Sequence, residues 1–171
     1  MEESNNSKLI RQFISTFKPN FVAVDAETCC FFKLPSNRAY DYIAFAFSNE
    51  YVFLWYRPKK RYLRGLFKFL NDYNVNVLHF GPGDNHYFMT GQNSTDLQPF
   101  MPDGTLLSLS KASIIITGMP LDKGCTMSQW SSSPKIIYNH YRELFDYLIL
   151  DVLILFLIKA ARERNRVWYL K

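Results

Sequence analysis

Apolar positions recur along this chain with two spacings, one helical and one extended. In residues 8–17, Leu9, Ile10, Phe13 and Phe17 share one side of a helix, and Pro19-Asn20 stops it. Phe21-Val-Ala-Val24 then reads as a strand that ends at Asp25, with a turn-like stretch around Pro35-Ser-Asn37 after it. Residues 42–47 and 51–56 are rich in aromatic and branched side chains and are separated by Ser48-Asn49-Glu50. That pattern predicts a hairpin, and a hairpin means antiparallel strands. Between 61 and 73 the spacing of Leu63, Leu66, Phe67 and Leu70 returns to a helical period, which Asn71, Asp72 and Asn74 close.

Residues 75–80 give a fourth strand. From Gly81 to Gly104 the chain is rich in Gly, Pro, Asn and Asp, with a short helix read around 85–89. Residues 106–116 are apolar and ambiguous between strand and helix. Past a serine-rich loop at 131–133, one long helix is read from 138 to 164. A hairpin, helix, strand, loop and long helix in that order predict an α/β domain with a mixed sheet and helices packed on it.

Composition narrows this picture. With 171 residues, 48% hydrophobic, including 15 Phe and 11 Tyr, the chain suits one compact domain with a sizeable core. Residues 8–171 are read as that domain, and the polar residues 1–7 as a flexible N-terminus. A formal charge of +5 is compatible with a polyanionic partner and equally with ordinary solubility. Cys29, Cys30 and Cys125 are an odd count without metal-type spacing to His79, His86 or His140, so reduced thiols are expected and zinc is not. The acidic, polar opening is unlike a secretory signal, and the apolar stretch 147–158 is interrupted by Asp151 and too short to span a bilayer. The expectation is a soluble, intracellular protein.

The informative acids are those in apolar surroundings. Asp25 and Glu27 flank Ala26, and two acids two apart at a strand end point to the same side. Solvent at a loop, or capping of the next segment, accounts for them as well. Asp84 follows a strand in His79-Phe-Gly-Pro-Gly-Asp84, where a helix N-cap is the ordinary reading. Asp151 lies mid-helix in YLILDVLILFLI, where an unpaired carboxylate costs several kcal/mol. Tyr147, one turn earlier, is placed to meet it, and a hydrogen bond from Tyr147 or an arginine partner is the structural alternative. The four acids together suit two divalent ions with oxygen ligands, Mg²⁺ or Mn²⁺.

Asp-x-Glu, an Asp after a strand and Tyr-x-x-x-Asp, in that order, resemble the DEDD 3′→5′ exonuclease superfamily in its tyrosine-bearing branch. The narrower resemblance is to the proofreading domains of protein-primed family-B DNA polymerases, and it spans residues 20–165. VAVDAET at 22–28 is similar to the first exonuclease motif, HFGPGD at 79–84 to the second and YLILD at 147–151 to the third. Thr105-Leu106-Leu107-Ser108-Leu109 resembles the family's DNA-binding motif, and Lys123 lies where the protein-primed branch carries a lysine that aids catalysis. Two positions depart from the second motif: Phe80 stands in place of Asn, and Gly83 in place of Phe.

The resemblance implies a ribonuclease-H-like fold, an antiparallel hairpin plus a parallel strand flanked by helices. It implies hydrolysis of single-stranded DNA from the 3′ end to nucleoside 5′-monophosphates, in a replication setting with a polymerase or replication protein as a further partner. Asp25, Glu27, Asp84 and Asp151 would hold two Mg²⁺ or Mn²⁺ ions, Tyr147 would orient the attacking water, and Lys123 would neutralise charge on the scissile phosphate. Thr28, Phe80, Thr105 and Leu106 would contact the DNA strand. Two rival expectations stand beside this: a catalytically weak nuclease fold that binds nucleic acid or a partner protein, and an RNA-trimming exonuclease.

Overall fold

The computed structural model describes residues 5–29, 33–81, 93–121, 129–164 and 169. Helix α1 (Asn5–Phe17) precedes strand β1 (Phe21–Glu27), the hairpin β2 (Tyr42–Ala46) and β3 (Val52–Tyr56), and helix α2 (Lys60–Asp72). Strands β4 (Asn76–His79) and β5 (Ser94–Asp96) follow, then α3 (Leu109–Thr117), α4 (Pro134–His140) and α5 (Arg142–Arg164). The sheet is ordered β3-β2-β1-β4-β5. Pairs β1·β2 and β2·β3 are antiparallel, whereas β1·β4 and β4·β5 are parallel. The molecule is thus an α/β protein with a mixed sheet flanked by helices, as the order of hydrophobic periods predicts. The short helix read at 85–89 lies outside the described residues.

Alternation along the strands divides the core into two layers. Val22 and Val24 of β1, Ile43 and Phe45 of β2 and Val77 of β4 pack with Ile10 and Ile14 of α1 and Leu63, Leu66, Phe67 and Leu70 of α2. Burying each of these large side chains contributes about 1.5–3 kcal/mol. On the opposite face, Ala23, Tyr42, Ala44, Ala46 and Leu78 meet Leu144, Leu148, Val152, Leu155 and Ile158 of α5. Three alanines on this face leave room for the helix. Asp25 and Glu27 have the parity of Ala23 and therefore point toward α5.

Several boundaries differ from the sequence reading. Strand β1 runs two residues past Asp25 because Asp25, Ala26 and Glu27 pair with Ala44, Ile43 and Tyr42. Helix α1 starts at Asn5, with Ser7 buried, so part of the segment read as a flexible tail is helical. The single helix expected over 138–164 is two helices. Pro134 opens α4 at a position where its missing N–H costs nothing. The chain turns at Tyr141 (φ −143°, ψ 42°), which lets both Ile137 and Leu144 reach the core. The ambiguous segment 106–116 resolves into an extended approach and α3, capped by the Ser108 hydroxyl accepting from the Lys111 amide at 3.3 Å.

Candidate metal centre

β1 and α5 create the site. Their carboxylates come from residues far apart in sequence, brought together because α5 crosses the alanine-lined face of the sheet. Helix α5 presents Leu144, Leu148, Asp151, Val152, Leu155 and Ile158 as one buried stripe, and Asp151 sits in its middle at 2% exposure. Asp25 and Glu27 are half-buried at the end of β1. One ligand oxygen from each of Asp25, Glu27 and Asp151 lies within 4.8 Å of the others.

Three carboxylates at that separation repel one another, and burial strengthens the repulsion. The donor set is oxygen-only and anionic, without a histidine or thiolate, which is the chemistry of a hard cation site. This cluster is able to hold a metal ion.

Tyr147 completes the inner wall. Its phenol donates to Asp151 and is held well above the ordinary tyrosine pKa, first by burial and then by the charge of Asp151, that hydrogen bond, and the charges of Glu27 and Asp25. The phenol therefore remains protonated and acts as a donor, not as a base. Behind it, the buried Trp130 ring lies 6.4 Å from the Tyr147 ring, centroid to centroid.

Outside the acids is a cavity of about 290 Å³ whose walls include Asp25, Glu27, Tyr147 and Asp151. Phe80, Leu109 and Leu155 supply its apolar surface, and Gln98 and Ser108 its neutral polar surface. The Gln98 amide donates to the Leu107 carbonyl at 3.0 Å, which fixes the orientation of that side chain.

Most sequence-derived candidates can be placed. Asp25, Glu27, Asp151 and Tyr147 converge, and Phe80 joins them at the cavity wall. Asp84 and Lys123 lie outside the described residues. Thr28 is exposed immediately beyond β1. Thr105 is exposed and bonds Asp103 through both its amide and its hydroxyl, while Leu106 is exposed beside it. Neither is among the cavity-lining residues. Ser108 and Leu109, at the start of α3 in the same TLLSL stretch, are. The signal that separates them is capping, since a serine opening the helical period at 109 marks where the backbone turns inward.

Reasoning from sequence also passed over Asp41. This carboxylate is 1% exposed, accepts the Cys29 amide at 2.9 Å and pairs with Arg57 Nε at 3.0 Å. An acid directly before a fully buried strand, with an arginine directly after the next strand, is the available signal.

The protein is of the α/β class and carries an anionic cluster able to hold a metal ion. Set against protein-family models, curated proteins and solved structures, the chain matches none of them. No helix among the described residues is long and apolar enough to cross a membrane.

Proposed function

We propose that this protein is a metal-dependent 3′→5′ exonuclease of the DEDD type, in its tyrosine branch, acting on single-stranded DNA ends from a ribonuclease-H-like fold. The observation that carries the reading is the meeting of Asp25, Glu27 and Asp151 within 4.8 Å, with Tyr147 bonded to Asp151 from one turn earlier. A strand order of β3-β2-β1-β4-β5, antiparallel on one side of β1 and parallel on the other, supports the fold assignment.

Asp25, Glu27 and Asp151 are the residues that would hold Mg²⁺ or Mn²⁺. Bound there, a divalent ion supplies Lewis acidity for phosphodiester hydrolysis. The protonated Tyr147 gives its one O–H to Asp151, so its oxygen would accept from the attacking water and orient it, not remove its proton. Phe80, Leu109 and Leu155 give the terminal nucleotide an apolar wall. Asp84 as a fourth ligand and Lys123 as a phosphate neutraliser extend the reading by resemblance alone.

A 5′-labelled single-stranded oligonucleotide with Mg²⁺ or Mn²⁺ tests this reading. The expected result is a ladder shortened from the 3′ end, releasing nucleoside 5′-monophosphates, and its loss in Asp25→Ala. A ladder of equal strength in Asp25→Ala, or none in the wild-type protein, refutes the activity. RNA of the same sequence run alongside reports whether the 2′-hydroxyl is tolerated.

A further inference from the structure

Two residues past Glu27 the chain leaves the sheet, and a single buried side chain grips it there. Asp41 donates its backbone N–H to the Glu27 carbonyl at 3.0 Å, while its Oδ2 accepts the Cys29 N–H at 2.9 Å. One residue thereby fixes the backbone on both sides of Thr28. The other carboxylate oxygen, Oδ1, takes the Arg57 Nε–H at 3.0 Å.

Arg57 carries the restraint onward. Its Nη2 donates to the Ser131 carbonyl at 3.0 Å, and the neighbouring Tyr42 hydroxyl donates to the Ser132 carbonyl at 2.7 Å. Ser131 and Ser132 lie directly before α4, which leads into α5 and so to Tyr147 and Asp151. The Arg57 backbone has φ +43°, in the left-handed region that side-chain-bearing residues rarely adopt. Its N–H bonded to the Asp41 carbonyl at 2.7 Å, and its own carbonyl bonded by Arg38, hold it there.

We infer that the Asp41–Arg57 pair is a positioning device that ties the β1 half of the metal centre to the α5 half. The inference rests on the metal-centre reading and deepens it. Neither residue lines the acidic cavity, so both act through the backbone segments they hold. An ion pair with one partner buried and the other a third exposed is a weak source of net stability, because desolvation and solvent screening offset much of the attraction. What this one fixes is the relative placement of two chain segments whose carboxylates must converge within a few ångströms. Residues behind a metal site commonly set its affinity by 10- to 100-fold through such orientation.

Mn²⁺ alone is the probe, with free Mn²⁺ followed by electron paramagnetic resonance and folding by thermal denaturation, each titration run well below the variant's midpoint. Asp41→Asn keeps the shape and sets an amide N–H₂ or a weaker acceptor against the guanidinium. Arg57→Lys keeps the charge but replaces the two N–H positions that reach Asp41 and Ser131 together. Val75→Ala, in the opposite core layer, is the stability control. The expected result is Mn²⁺ binding weakened about tenfold or more in Asp41→Asn and, to a lesser degree, in Arg57→Lys. Val75→Ala is expected to lower the midpoint with unchanged affinity. Wild-type affinity in folded Asp41→Asn and Arg57→Lys overturns the positioning role, as does an equal loss in Val75→Ala. Should Asp41→Asn fail to fold, Arg57→Lys decides. No Mn²⁺ binding by the wild-type protein refutes the metal centre itself, and the inference with it.

Discussion

Tyr147 shows how much one side chain's surroundings determine its chemistry. A phenol in water ionises near pH 10, but this one is buried, bonded to Asp151 and near two further carboxylates, all of which penalise the phenolate. Tyr42, buried and bonded to the Ser132 carbonyl, is raised for the same leading reason, burial. Both folded-state pKa values lie above the unfolded ones. The stability linked to them is therefore fully present below about pH 10 and is lost as pH rises beyond it. A spectrophotometric titration at 295 nm should show Tyr42 and Tyr147 ionising only as the protein unfolds in alkali. For Tyr147→Phe, turnover in the oligonucleotide assay should fall on the order of a hundredfold, the scale of one lost preorganised hydrogen-bonding group, with Mn²⁺ binding retained. At this scale Asp25, Glu27, Tyr147 and Asp151 were legible in the sequence because charge or hydroxyl stands where the pattern demands apolar atoms. Asp41 was not, since its partner Arg57 is distant in sequence and looks like one of a run of surface cations.

The meeting of β1 and α5 depends on side chains that do no chemistry. Ala23, Ala44 and Ala46 line the strand face under α5, and Ala44 is the direct cross-strand partner of Asp25. Enlarging that position pushes the helix away from the strand. Ala44→Leu should destabilise by about 1–3 kcal/mol through overpacking, and should weaken Mn²⁺ binding as Asp151 is displaced from Asp25 and Glu27. Thermal denaturation and Mn²⁺ titration of one preparation check both halves. Elements with strong periodicity, α1, α2, the hairpin and most of α5, were readable from the sequence. Strand β5 was not. Its three residues, Ser94-Thr-Asp96, are polar at a parallel edge, and their pairing with Val77, Leu78 and His79 comes from tertiary placement, not from local pattern. The break at Tyr141 was likewise hidden, because an apolar helical period continues across it while the backbone turns.

For the molecule as a whole, three like charges held close together are destabilising, and a bound cation would reverse that. Asp151→Asn keeps an acceptor for Tyr147 while removing one of three like charges, so the metal-free variant should melt above the wild type in EDTA. The wild type, in turn, should be stabilised by about 2.7 kcal/mol when Mn²⁺ is present at 100 times its dissociation constant. For a chain of this size that is a rise of about 5–11 °C, reversed by EDTA and absent in Asp25→Ala. The most direct measurement is anomalous diffraction from a crystal soaked in Mn²⁺. A peak bonded to oxygens of Asp25, Glu27 and Asp151 at about 2.0–2.3 Å is the expected result. A saturated crystal with Mn²⁺ elsewhere and none among these three carboxylates would contradict it.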